Sequence, residues 1–211
     1  MTIGKGTTWG APFRLPDSAP VFDSDATIFH WLNPEVSAVS AIDGLCATLE
    51  GPAIGLVGGS LWKMLGGASC VGRVRTAGAL GYPCDLIEVS TDRGRFRCLS
   101  ALSAHTLLWS RVLLAMNVQD LGRFRFGHRA HPGDGLVDVY EAQLPLQQRV
   151  LVARRARLGA HLPHPGIHEQ RVTEFAVDFV RPLSFRLDGV RCGRSSVFAV
   201  KVLPDAITVV I

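Results

Sequence analysis

Apolar positions follow helical spacing in the first part of the chain and strand alternation in the rest. Ala19-Pro20-Val21-Phe22 predicts a short strand, and Asp23 or Ser24 can cap a helix through Leu32 that carries Ile28, Phe29 and Leu32 on one face. A second helix is predicted over 35–49 from Val36, Val39, Ile42 and Leu45. Ala53-Ile54-Gly55-Leu56-Val57 has the look of a buried strand. Gly58-Gly59-Ser60 follows as a turn, and Leu61 to Leu65 begins a short helix. Such alternation predicts an α/β fragment with a parallel sheet.

From about residue 83 strands take over. Phe96 to Ala104, Val112 to Val118, Arg123 to Phe126 and Gly135 to Tyr140 all carry strand patterns. Leu144 to Leu158, with Pro145 at its start and Gly159 at its end, predicts the one helix of this region. Phe175, Val177 and Phe179 alternate with polar residues, as do the positions of Leu183 to Leu187. Val197 to Leu203 and Ile207 to Ile211 are expected to form a closing hairpin around Pro204-Asp205. The expected division is a truncated α/β domain over 1–75 and a β-rich domain over 76–211, with the junction in the small-residue stretch 67–82.

Composition narrows the class. With 211 residues, 47% hydrophobic and 19% charged, a disordered chain is excluded. No apolar run is long enough to span a bilayer, and Met1 to Gly6 lacks the features of a signal peptide. The five cysteines are odd in number and form no CxxC, which predicts reduced thiols in a cytoplasmic protein. Residues 1–60 carry a net −4 and residues 61–211 a net +8. Of the 22 basic residues 19 are Arg, which suits bidentate anion contacts and equally suits a GC-rich coding sequence.

Four stretches could carry chemistry. Gly58, Gly59 and Ser60 lie between a strand and a helix, where backbone N–H groups either cradle a phosphate or simply make a tight turn. In His128 to Leu136, Asp134 either holds a hard cation or makes a turn with Gly135. His128 with His131, and His161 with His164 and His168, offer imidazoles without a metal-ligand pattern, since two prolines break the helix the second set would need. Arg149, Arg154, Arg155 and Arg157 form either a solvated helix face or a contact for anionic headgroups or nucleic acid. No nucleophile elbow, Walker A sequence or paired-carboxylate constellation occurs.

Several segments, in order, resemble the diacylglycerol kinase and bacterial lipid kinase family, which shares its fold with NAD kinases. Met116-Asn117-Val118 with Gly122-Arg123-Phe124 is similar to the family's strand-Asn-Gly-Arg-Tyr run. His131-Pro132-Gly133-Asp134-Gly135-Leu136-Val137-Asp138-Val139 resembles its Pro-x-Asp-Gly-x-Leu-Asp-Val entry, and Gly159-Ala160-His161-Leu162 its Gly-Lys-His-Leu loop. Leu187-Asp188-Gly189 resembles its Asp-Gly-Glu turn, Val202 to Ile207 its closing strands, and Cys84-Asp85-Leu86 its Ile-Asp-Leu. Gly58 to Gly66 stands where the family has Gly-Thr-x-Asn-Asp. The likeness spans about 53–211. It implies a truncated Rossmann-like N-terminal domain followed by an antiparallel β-sandwich-like domain.

The resemblance also implies a lipid or nucleotide ligand, Gly58, Gly59 and Ser60 as the nucleotide turn, and Mg²⁺ on the Asp134 side chain with the carbonyls of His131 and Leu136. The departures argue against ATP. The family's Gly-Gly-Asp-Gly-Thr loop is absent, with Lys5-Gly6-Thr7-Thr8 a poor stand-in. Leu61 and Trp62 replace the Asn and Asp, and Val190 replaces the Glu that the family uses as base. General-base catalysis contributes about two to four orders of magnitude. The expectation is a catalytically degenerate lipid-kinase-like protein that binds a ligand or partner. It would bind no nucleic acid, lack a transmembrane segment and make at most peripheral membrane contact. One alternative is an active ATP-dependent lipid kinase with Asp188 as the replacement acid/base. The other is a structural homodimer.

Overall fold

A computed structural model describes residues 9–36, 51–67 and 73–211. Most of the helix expected over 35–49 lies outside the described residues, as does Lys5-Gly6-Thr7-Thr8. In chain order the elements are β1 (Ala11–Pro12), β2 (Val21–Phe22), α1 (Asp25–Leu32), β3 (Ala53–Leu56), α2 (Gly59–Met64), β4 (Leu80–Thr91), β5 (Gly94–Cys98), β6 (Ala101–His105) and β7 (Arg111–Met116). There follow β8 (Asp120–Leu121), β9 (Phe124–Arg125), β10 (Val137–Gln143), α3 (Leu146–Ala156), β11 (Ile167–Val172), β12 (Glu174–Leu187) and β13 (Val190–Val210).

The main sheet runs β1-β4-β13-β12-β6-β7-β10-β11, with every neighbour antiparallel and β5 added to β4. The α/β part is small: β2 pairs parallel with β3, and β3 pairs parallel with Thr208–Val210 at the end of β13. Of the expected Rossmann-like domain, the described residues show these two parallel strands, each followed by a short helix.

Both faces of the sheet are buried, which is why β7 appears in the sequence as an unbroken apolar run rather than an alternation. Leu113 and Ala115 enter one core with Val137, Val139, Phe179, Phe185 and Phe198. Leu114 and Met116 enter the other with Tyr140, Cys84 and Ile207. In the first core Phe185 meets Phe96 at 6.0 Å and Phe198 at 5.6 Å, both edge to face. The second core carries Ile28 of α1, Ile54 and Leu56 of β3 and Leu61 of α2, so it seats the α/β part on the sheet.

Two expected elements differ. Val190–Val210 is one strand, not a hairpin: Phe198–Leu203 and Ile207–Val210 both pair with β4, and the register shifts between them. Asp205, at φ 49°, makes a bulge there that leaves the strand direction unchanged. The segment Phe96 to Ala104 divides into β5 and β6 at Leu99-Ser100, a break that a buried side chain fixes (below).

Beyond α3, Gly159 at φ 67° turns the chain so that His161 enters the second core's edge. His161 is 3% exposed, stacks on His128 at 5.0 Å and meets Phe126 edge-on at 5.4 Å. Neither ring nitrogen has a hydrogen-bond partner. Burial, with His128 beside it, pushes its pKa down to about 4. An unfolded chain therefore binds this proton at a higher pH than the folded one, and stability falls as pH drops from about 6.5 towards about 4. His161→Phe, which keeps the ring and removes the proton site, should flatten that decline. Thermal melts across this range check it; equal slopes in both proteins would contradict it.

Candidate functional site

The Gly58-Gly59-Ser60 turn packs against the turn that precedes α1. Ser24 caps α1, accepting the Thr27 N–H on Oγ at 3.4 Å, while Thr27 Oγ1 donates to the Ser24 carbonyl at 2.8 Å. Asp25, the first residue of α1, is buried, and its Oδ2 accepts the Ser60 N–H at 2.8 Å. The glycines exist for this approach. A Cβ on Gly58 would lie 2.1 Å from the Asp23 carbonyl oxygen, and one on Gly59 2.3 Å from Asp25 Oδ1. Gly59 also sits at φ 96°.

Asp188 lies across from this junction, in the two-residue hairpin between β12 and β13. Asp188 and Gly189 have φ 49° and 86°, the backbone of a type I′ turn. The carboxylate points inward, where Oδ2 accepts the Leu99 N–H at 2.8 Å and Oδ1 those of Ser100 and Ala101 at 2.8 and 3.0 Å. This clamp is what separates β5 from β6. Burial pushes the Asp188 pKa up to about 7, the Asp25 charge adds to the rise, and the three N–H bonds oppose it. Asp25 is itself raised by burial, opposed by its bonds at Ser60.

A third carboxylate extends the network. Asp85 accepts the Gly135 N–H at 2.7 Å and the Asp205 N–H at 2.9 Å, and its own N–H donates to the Pro132 carbonyl. Burial pushes its pKa up to about 6. Asn117 Nδ2 donates to the carbonyls of Asp85 and Leu99, at 3.1 and 3.2 Å. Hydrogen bonds thus link the 131–136 loop, through Asp85 and Asn117, to the backbone that holds Asp188.

The residues resembling a Mg²⁺ site do not fit a divalent cation in this arrangement. Both oxygens of Asp134, the one side chain in that set, are engaged: Oδ1 takes the Leu136 N–H at 3.0 Å, and Oδ2 is ion-paired and hydrogen-bonded to Arg171. The Arg171 guanidinium also lies 3.4 Å from Asp138 Oδ1, and a resident positive charge there opposes a second cation. His131 turns its Nδ1 to the Gly133 N–H and packs on Trp9 at 4.4 Å. Among the described residues, His, Cys, Asp and Glu form no group of three or more suited to a metal. His128 and His131 do not converge on one site, and His164 accepts the Gly166 N–H.

The architecture matches solved structures of lipid-kinase type. A putative diacylglycerol kinase from Bacillus anthracis str. Sterne superposes with a TM-score of 0.65 at 11% identity, covering 90% of this chain and 76% of that one. A further diacylglycerol kinase structure from the same organism gives 0.57 at 12% identity, covering 90% and 74%. The fold is that of the diacylglycerol kinases. No family model and no curated protein matches the sequence.

Within that fold, Asp23-Ser24-Asp25-Ala26-Thr27 follows strand β2 and opens helix α1, with an Asp and a Thr at the spacing of Gly-Gly-Asp-Gly-Thr. Reading for glycines misses it, because Asp23, Ser24 and Ala26 stand in the glycine positions. Asp25, Asp85, Asn117 and Arg171 are the residues the structure adds to the sequence-predicted set of Gly58, Gly59, Ser60, His131, Asp134, Leu136 and Asp188. Val190 packs against the first core.

Because Arg171 neutralises Asp134 and the almost fully buried Asp138, chelators and added Mg²⁺ should leave the melting midpoint unchanged. Arg171→Met should destabilise by about 2–3 kcal/mol, since it strands a buried carboxylate. A saturable rise of the wild-type midpoint with Mg²⁺ would contradict this assignment.

Proposed function

We propose that this chain is a lipid-kinase-like protein that binds a ligand or partner without transferring a phosphoryl group. The observation that carries the reading is the filling of both turn–helix junctions by the chain's own side chains, the Asp25 carboxylate at α2 and the Ser24 hydroxyl at α1. A phosphate at such a junction needs free backbone N–H groups and a positive local potential. Here the Ser60 N–H is spent on Asp25, the Thr27 N–H on Ser24, and Asp23 and Asp25 set negative charge beside both helix starts. The base is missing as well. Val190 cannot accept a proton, and Asp188, the alternative, has its carboxylate occupied by three backbone donors and is buried away from solvent. Phosphoryl transfer depends on positioned phosphates and an oriented nucleophile, and both supports are compromised together.

One observation favours the second reading, an active ATP-dependent lipid kinase. Asp25 and Thr27 keep the spacing of the nucleotide loop in the right strand–turn–helix setting, and a carboxyl with a pKa near 7, as at Asp188, suits proton transfer at neutral pH. Incubation with labelled ATP, Mg²⁺ and mixed micelles of diacylglycerol separates the two. The first reading predicts no label in the lipid above a protein-free control. Transfer that Asp25→Asn and Asp188→Asn both abolish would establish the second.

A further inference from the structure

Among the described residues, three consecutive exposed apolar side chains lie away from the glycine turns, at the end of the sheet where β6 meets β7. Leu107 is 92% exposed and Leu108 68%, with Trp109 beside them at the tip of the turn. This tip is held in place. Trp109 N–H donates to the Thr106 carbonyl at 2.9 Å, Thr106 and Ser110 share a 2.8 Å hydroxyl bond, and Trp109 stands at φ 55° over the His105 ring. Arg149 of α3 fastens it to the neighbouring helix, donating to the carbonyls of Leu108 at 2.7 Å and Leu144 at 2.6 Å. The exposed Leu146 and Val150 of α3, and Val180 at 96% exposure in the β12 bulge, belong to the same end of the molecule.

Between the tip, α3 and the bulge runs a groove of about 630 Å³ whose lining includes Arg111, Arg149 and Arg181 and no acidic residue. None of the three guanidiniums is ion-paired among the described residues, although Arg111 donates to Gln143 Oε1 at 2.6 Å and lies over the Phe179 ring. Arg181 has no hydrogen bond there either.

We propose that this end of the molecule docks on an anionic lipid bilayer, with Leu107, Leu108 and Trp109 entering the interface and Arg111, Arg149 and Arg181 meeting headgroup phosphates. Outermost leucines gain by leaving water, and Trp favours the boundary between headgroup and chain. Guanidiniums with no carboxylate to neutralise them lie behind these side chains and supply the charge complement that an anionic surface requires. A second copy docking face to face would instead set the arginines of both copies against one another. The surface does not depend on the reading of the glycine turns, and it holds for a ligand-binding protein and for a kinase alike.

Vesicle flotation tests it with the full chain, using phosphatidylcholine vesicles with and without phosphatidylglycerol. The wild type should float with the anionic vesicles about tenfold better than with the neutral ones, and salt should weaken this binding. Leu107→Asp with Leu108→Asp, and separately Arg111→Gln with Arg181→Gln, should each cut binding about tenfold or more. Leu107 and Leu108 are exposed, so that variant should melt as the wild type does; Arg111 touches Phe179 and Gln143, so flotation of its variant is measured below its own melting midpoint. Equal flotation of all variants, or no flotation of the wild type, would overturn the proposal. So would a wild-type dimer in light scattering that the Leu107/Leu108 variant dissolves.

Discussion

A single carboxylate sets the character of the α/β end of this molecule. Asp25 occupies the Ser60 N–H at the start of α2 while belonging to the first turn of α1, and so it closes the two glycine-type turns on each other. The closeness is enforced by Gly58 and Gly59, at which a side chain would meet the Asp23 backbone and the Asp25 carboxylate. Where an open pair of helix starts could receive a polyanion, this one has an internal anion. Asp188 extends the arrangement, because the Asp25 charge adds to burial in raising its affinity for a proton, while Asp25 is raised by burial itself.

The rest of the polar interior serves as scaffold. Asp188 separates β5 from β6 by holding three consecutive amides. Asp85 ties the 131–136 loop to the β13 bulge, and Asn117 joins that tie to the Asp188 clamp. Arg171 supplies a fixed positive charge where a mobile cation would otherwise balance Asp134 and Asp138. Asp188, Asp85 and Asn117 are buried and hydrogen-bonded to backbone groups, and with the partly buried Arg171 they fix the relative placement of the turns they join.

Much of this was legible in the sequence where a local rule governs. The helices after Ser24 and Pro145, the strand Ala53 to Leu56 and the Asp188-Gly189 turn follow from capping, apolar runs and turn chemistry. The antiparallel arrangement follows from consecutive strand patterns joined by short turns. What was not legible depends on contacts distant in sequence. The bulge at Asp205 resembles a hairpin turn because Pro204-Asp205 has turn composition; only the continuous pairing with β4, supported by Asp85 some 120 residues away, keeps the strand going. The break at Leu99-Ser100 has no local signal, since its cause is a side chain in another hairpin. Asp25 and Thr27 escaped notice because the pattern sought was one of glycines, whereas the retained information is in the two polar positions. Arg171 could not be paired with Asp134 until β11 was known to lie beside β10.

Amide-resolved NMR during a titration with ATP and Mg²⁺ addresses the central claim at the atom concerned. With Asp25 holding the Ser60 N–H, the Ser60 and Thr27 resonances should stay in place throughout. A saturable shift of both, at one nucleotide per chain, would mean that a phosphate displaces the carboxylate, and the account of a self-filled site would fail.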